Sequence, residues 1–111
     1  MAKASRDKGK RGEREFASLL RSLGFNGARR TAQYCGNTGS ADDVVGVDGF
    51  HIEVKRCETV RLHDWIKQAA HDCGQNVPVV AHRRNGEPWY VTLAAGDFFK
   101  IVKEAQDAHQ E

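Results

Sequence analysis

The chain has 111 residues, 40% hydrophobic and 29% charged, with a net charge of +2. That length supports one compact domain with a real core and little room for a second. No apolar run approaches the roughly 18 residues that cross a bilayer, and the basic N-terminus lacks the apolar stretch of a signal peptide, so a cytoplasmic protein is expected.

The positive charge is concentrated at one end. Residues 1–34 hold nine Lys and Arg against three acids, a net of +6, which leaves −4 for the remainder. A basic segment leading into a more acidic body suits contact with a polyanion beside a cation-binding centre, although a solubilising tail has the same composition. The three cysteines, Cys35, Cys57 and Cys73, are odd in number and unpaired in spacing, which argues for reduced thiols. Cys57, His63, His71 and Cys73 fit no zinc-ligand spacing.

In chain order, residues 1–9 are short, polar and basic and are expected to form a flexible tail ahead of a single domain over 10–106, with 107–111 as a frayed end. Helical spacing starts at Lys10. Phe16, Leu19, Leu20 and Leu23 make one apolar stripe, and Gly24 is the expected stop. Glu13 lies three residues before Phe16, on or beside that stripe. Residues 25–34 read as a strand carrying Arg29, Arg30 and Thr31, and Cys35–Ser40 as a loop of glycines and small polar residues. A second strand is expected over Val44–Val47. Asp48-Gly49 signals a tight hairpin, and residues 50–56 return as a third strand. Leu62, Trp65, Ile66, Ala69, Ala70 and Cys73 keep helical spacing up to Gly74. Val77–Ala81 and Trp89–Leu93 read as two more strands with Asn85-Gly86 between them. A last helix, capped by Asp97, carries Phe98, Ile101, Val102 and Ala105 on one side. Helices packed on one layer of sheet make a mixed α/β domain.

The chemistry is concentrated in Phe50-His51-Ile52-Glu53-Val54-Lys55. Strand side chains alternate, so Phe50, Ile52 and Val54 are expected to face a core, and His51, Glu53 and Lys55 the other side. The hairpin makes the strand opened by Asp42-Asp43 a neighbour, so that a second carboxylate converges on Glu53. Two hard oxygen ligands suit Mg²⁺, with the Val54 carbonyl as a neutral third. Such a metal acidifies water and offsets charge on phosphate oxygens, while Lys55 can hold the attacking water or neutralise the phosphate. Glu and Lys alternating on a solvated strand face are common. An Asp, a hairpin, apolar-Glu-apolar-Lys and a preceding helix with an inward Glu are much less so, and together they favour phosphodiester cleavage.

These residues resemble the PD-(D/E)XK nuclease superfamily and, within it, the archaeal-type Holliday junction resolvases and their phage relatives. The likeness spans roughly residues 8–93. It rests on Lys8-Gly-Lys-Arg-Gly-Glu13-Arg-Glu-Phe, on Ala41-Asp42-Asp43-Val-Val-Gly and on Ile52-Glu53-Val54-Lys55. The resemblance implies a restriction-endonuclease-like fold, an αβββαβ core here followed by an extra strand and a C-terminal helix. It implies that Asp43 and Glu53 bind the metal, Glu13 supports the cluster and Lys55 assists the nucleophilic water. Where the family usually has Pro before its catalytic Asp this chain has Asp42, so either Asp42 or Asp43 can be the ligand; Asp43 is favoured because Val44-Val45 follow it as strand. Gln68 resembles a glutamine that several branches of the superfamily carry on the helix after the Lys, and an exposed helix Gln is an equal alternative.

Lys8, Lys10, Arg11, Arg14, Arg29 and Arg30 are the candidates for contact with nucleic acid, since phosphate contacts supply affinity without sequence information. The expected activity is therefore that of a Mg²⁺-dependent DNA endonuclease, with Mn²⁺ a possible substitute. The resolvase likeness implies a branched four-way DNA substrate and a homodimer, with no membrane and no small-molecule cofactor. Alternatives are a repair or restriction-like nuclease, a non-catalytic nucleic-acid-binding module and a structural α/β protein. The expected setting is the cytoplasm of a bacterial or phage-infected host cell, and the small bare core is compatible with a phage origin.

Overall fold

A computed structural model of the chain describes the backbone of residues 2–31 and 42–110, with side chains of the first helix described from Gly9 onward. In chain order the elements are α1 (Ala2–Ser22), β1 (Arg29–Arg30), β2 (Val44–Val45), β3 (Phe50–Arg56), α2 (Leu62–Asp72), β4 (Val77–Arg83), β5 (Tyr90–Thr92) and α3 (Ala95–His109). The sheet runs β1-β2-β3-β4-β5, antiparallel everywhere except between β3 and β4. Parallel neighbours need a crossover, and α2 supplies it. The result is the expected mixed α/β fold, consistent with a restriction-endonuclease-like core.

β3 matches its expected boundaries, and its two faces are both covered. Phe16, Ala17 and Leu20 of α1 pack with Val44, Ile52, Val54, Val79 and Ala81 on one face. Trp65 and Ala69 of α2 pack with Val80 on the other. Trp89 joins the first core, its ring 5.1 Å from that of Phe16. Both tryptophans thus belong to cores.

The ends of α1 differ in how well they follow expectation. At its C-terminus, Gly24 takes φ 104°, the Phe25 N–H reaches the Leu20 carbonyl and the Gly24 N–H that of Arg21, a left-handed cap that satisfies the last carbonyls. At its N-terminus the helix begins at Ala2, ahead of Lys10, so the backbone expected as a tail is helical. Its Ala, Lys and Arg are strong helix formers, and their charge reads as solvation without opposing the helix. Gly12 lets α1 lie close on β3: a Cβ there would stand 2.6 Å from the Arg56 Cβ.

Three other elements are corrected. Of the strand expected over 25–34, Arg29–Arg30 form β1 and 25–28 are taken up by the turn that caps α1, while 32–34 lie outside the described residues. The β2–β3 connection is Gly46–Gly49 rather than two residues. Gly46 adopts φ 110°, and a Cβ on it would stand 2.5 Å from the Ala28 Cα. Gly46→Ala is therefore expected to cost about 2–5 kcal/mol from backbone strain and overpacking together, read as a drop in denaturant midpoint. Finally, α3 is preceded by Ala94 as its N-cap, and Asp97 lies inside the first turn, where its charge still complements the helix dipole. The Cys35–Ser40 loop lies outside the described residues.

No residue of α3 is buried. Phe98 and Ile101 line an apolar groove of about 320 Å³ with residues of α1 and the sheet, and Phe99 is exposed. Among the described residues no helix is long and apolar enough to cross a membrane.

Candidate active site

Glu53 and His51 are buried, at 6% and 1% exposure, on the β3 face that α2 covers. The solvated strand face that would make this pattern trivial is therefore absent. Buried polar side chains must find partners or lose free energy, and these find each other. His51 Nε2 lies 3.0 Å from Glu53 Oε1, and His51 Nδ1 lies 2.5 Å from Asp42 Oδ1. Burial lowers the His51 pKa. The hydrogen bond with Glu53 and the charges of Asp42 and Glu53 outweigh it, and the net shift is upward. A carboxylate on each side of the ring requires both ring nitrogens to donate, which is the imidazolium form.

Asp43 reaches the same region by leaving the ladder. Val44 pairs with Ile52, yet the Ile52 carbonyl also accepts the Asp43 N–H at 2.9 Å, one place out of register. Such an irregularity re-aims a side chain. The Asp43 carboxylate turns onto β3 and accepts the Val54 N–H at 2.7 Å through Oδ2. The Asp43 pKa is raised to about 6, chiefly by burial and also by the charges of Glu53 and Glu13, against the Val54 hydrogen bond and the charge of Lys55. Glu53, Glu13 and Lys55 thus all act on Asp43, and Val54 is tied to it through its backbone.

Glu13 enters from α1. Arg30 Nε donates to its Oε1 at 2.7 Å. Burial raises the Glu13 pKa, and the opposing charges of Arg30, Arg14 and Lys10 recover only part of that shift. Arg30, a candidate for DNA contact by sequence, is thus engaged with a carboxylate of the cluster. Lys10, Arg11, Arg14 and Arg29 are exposed, whereas the side chain of Lys8 lies outside the described residues. Gln68 is exposed on α2. On the other side of Lys55, β4 places His82 opposite it in the ladder; His82 Nε2 meets Thr92 Oγ1 at 2.9 Å, and burial lowers the His82 pKa.

Among the described residues no group of three or more His, Cys, Asp or Glu side chains forms a ready-made metal site. The donor set instead suits a hard cation that keeps most of its waters, as Mg²⁺ does with one or two carboxylates. Protein donors hold one oxygen of Asp43 and one of Glu53, which orients both carboxylates. Burial is the main cause of the raised Asp43 pKa and the charges of Glu53 and Glu13 add to it, so a cation beside Asp43 would favour its ionised form.

A pH dependence follows. The folded state holds the Asp43 proton more tightly than the unfolded chain does, so the stability this contributes is full below 3.8 and is lost as pH rises through about 6. Glu13 and His51, also raised, act in the same direction. The contribution from Asp43 is on the order of 2–3 kcal/mol. Melting at about pH 5 and about pH 7.5, with and without Mg²⁺, tests it: Mg²⁺ is expected to raise the midpoint mainly at the higher pH. A midpoint indifferent to Mg²⁺ at both would exclude the cluster as a cation site.

A protein-family model described as "Phage putative PDDEXK endonuclease" matches residues 4–110. The chain belongs to this family. Membership places it in the PD-(D/E)XK superfamily among phage endonucleases, whose catalysis generally uses divalent metals. The match covers α1 through α3, so the family includes the extra strand and the last helix as well as the core. No curated protein and no solved structure matched the chain.

Sequence reasoning missed the closing of His51 between Asp42 and Glu53. The signal was present in outline: His51 shares a strand face with Glu53, and Asp42 precedes the neighbouring strand. What was invisible is that α2 buries that face. Also missed was a cluster on the opposite face, where Glu15 takes Arg83 Nη1 and, at 2.8 Å, Trp89 Nε1, beside Arg56.

Proposed function

We propose that the chain is a Mg²⁺-dependent DNA endonuclease whose catalytic residues are Asp43, Glu53 and Lys55, selective for branched DNA in the manner of a Holliday junction resolvase. The observation that carries the cleavage reading is the convergence of half-buried Asp43, tethered to the Val54 N–H at 2.7 Å, on buried Glu53, with Glu13 and Lys55 acting on it. A protein that merely bound nucleic acid would gain nothing from carboxylates beside phosphates. Asp43 is taken as the ligand because Asp42 is spent on His51.

In this reading Asp43, Glu53 and the Val54 carbonyl hold the cation, and Glu13 holds Arg30 against the cluster. Bound there, Mg²⁺, or Mn²⁺ in its place, supplies Lewis-acid stabilisation of charge on the phosphate and acidifies water. Lys55 donates hydrogen bonds to the attacking water or a phosphate oxygen and orients it; an ammonium accepts none. His51 fixes the Glu53 carboxylate. The exposed Lys10, Arg11, Arg14 and Arg29 carry the backbone, at a place inside a bacterial or phage-infected cell where DNA is branched.

Symmetric cutting of a junction calls for two sites related by a two-fold axis, hence a homodimer. A second copy is the occupant we assign to the apolar groove beside Phe98 and to exposed Phe99, because α3 buries none of its own residues within one chain. Light scattering is expected to give twice the chain mass, and Phe99→Glu to reduce it; a monomeric wild type at all concentrations would overturn this.

The substrate is tested by incubating labelled four-way junction, linear duplex and single strand side by side with Mg²⁺. Preferential junction cutting is expected. Equal cutting of all three would replace the resolvase reading with a repair or restriction-like nuclease.

A further inference from the structure

A second polar cleft lies on the other face of the sheet. It has a volume of about 340 Å³ and is lined by Arg11, Gly12 and Glu15 of α1, by Arg56 at the end of β3 and by Asn85 in the β4–β5 turn. Its shape depends on Gly12, since a Cβ there would meet Arg56 at 2.6 Å.

The guanidinium of Arg56 is held in this cleft with unused hydrogen-bonding capacity. Its Nε is 3.9 Å from Glu15 Oε1 and its Nη1 is 3.8 Å from Glu58 Oε2, both beyond hydrogen-bond reach. Nη1 is buried with no hydrogen-bond partner among the described residues. The charge of Arg56 is balanced at ion-pair distance by Glu15 and Glu58, but a buried N–H without a hydrogen bond is costly, so the position favours a closer acceptor from outside.

The acids nearby are already occupied. Glu15 Oε1 accepts from Arg83 and Trp89, and Glu58 Oε2 accepts the Asn85 N–H at 2.8 Å. Arg11, Arg56 and Arg83 face two glutamates, so the cleft retains positive charge. Arginine is the side chain suited to phosphate, with a planar fork of donors. Arg56 follows Lys55 directly on β3, at the same end of the strand but on the opposite face. A strand of nucleic acid crossing that end of the sheet meets both.

We propose that this cleft binds a backbone phosphate flanking the one that is cut, with Arg56 and Arg11 as its ligands. The inference rests on the proposed nuclease reading and adds a substrate contact to it. It assigns Arg56 to the substrate and makes Gly12 a shape requirement of the cleft.

The test measures DNA binding against salt concentration, in an Asp43→Asn background that blocks cleavage, with a labelled four-way junction and a labelled duplex. Each phosphate contact contributes nearly one to the slope of log affinity on log salt. Arg56→Gln and Arg11→Gln are each expected to lower that slope by about one and to weaken binding several-fold on both probes. Lys100→Gln, exposed on the side of α3 away from Phe98, removes the same charge and is expected to leave the slope unchanged. Should Arg56→Gln not fold, Arg56→Lys, which keeps the charge and loses the planar fork, is expected to weaken binding several-fold. A folded Arg56→Gln protein that binds with the wild-type slope, or a folded Arg56→Lys protein that binds with the wild-type affinity, would overturn the inference and leave the nuclease reading intact. A wild type that neither binds nor cuts DNA would overturn both.

Discussion

Asp43→Asn and Lys55→Ala are each expected to reduce DNA cleavage on the order of 10²–10⁴-fold while junction binding stays measurable. The two losses have different origins. Asn keeps the shape of Asp43 and a carbonyl oxygen to accept the Val54 N–H, so the 2.7 Å tether to β3 can persist. What disappears is a negative charge the cation needs. The same substitution also removes a carboxylate whose ionisation is opposed by burial, so Asp43→Asn is expected to be at least as stable as the wild type at neutral pH. Cleavage falling while stability holds separates a ligand from a structural residue. Lys55→Ala instead removes a donor and leaves Asp43 without the Lys55 charge that favours its ionised form. The measurement is single-turnover cleavage of a labelled junction beside a thermal melt. If Asp42→Asn is inactive and Asp43→Asn cuts normally, the ligand lies one residue earlier than proposed.

His51→Ala is expected to be the most destabilising single change near the site, costing about 3–5 kcal/mol, because it leaves buried Glu53 and its neighbour Asp42 facing each other without a counter-charge. The lost side-chain volume adds a cavity at a position only 1% exposed. The denaturant midpoint reads this directly, with the slope unchanged if the native state remains compact. Cleavage is expected to fall as well, since Glu53 loses the partner that orients it. A wild-type midpoint for His51→Ala would show that the histidine and the two acids are not coupled.

Alternation in residues 50–55 made β3 legible, because Phe50, Ile52 and Val54 give one strand face an apolar run. The same alternation placed Glu53 and Lys55 together but gave no sign of their burial. That depends on α2 lying across the polar face, and a stripe such as Trp65 and Ala69 announces a helix without saying which side of the sheet it covers. Asp43 was legible as a partner of Glu53 through the hairpin signal. Its turn onto the Val54 N–H was not, since it needs a register slip that follows from tertiary packing. Arg30 was read as a phosphate contact because a solvated arginine and one paired with Glu13, seventeen residues earlier, look alike in sequence. The helix start at Ala2 was hidden in the same way, by charge that reads as a tail. Gly24 and Gly74 were legible as stops because each supplies the left-handed conformation that ends its helix.

The central claim is metal-dependent phosphodiester cleavage at Asp43, Glu53 and Lys55. Its most direct test is cleavage of labelled DNA by the wild type and by Lys55→Ala, each in Mg²⁺ and in chelator. The expected result is cutting by the wild type in Mg²⁺ alone, abolished by chelator and restored when Mg²⁺ is returned, with Lys55→Ala inactive throughout. Cutting that persists in chelator, wild-type activity in Lys55→Ala, or no cutting by the wild type with any divalent metal would contradict it.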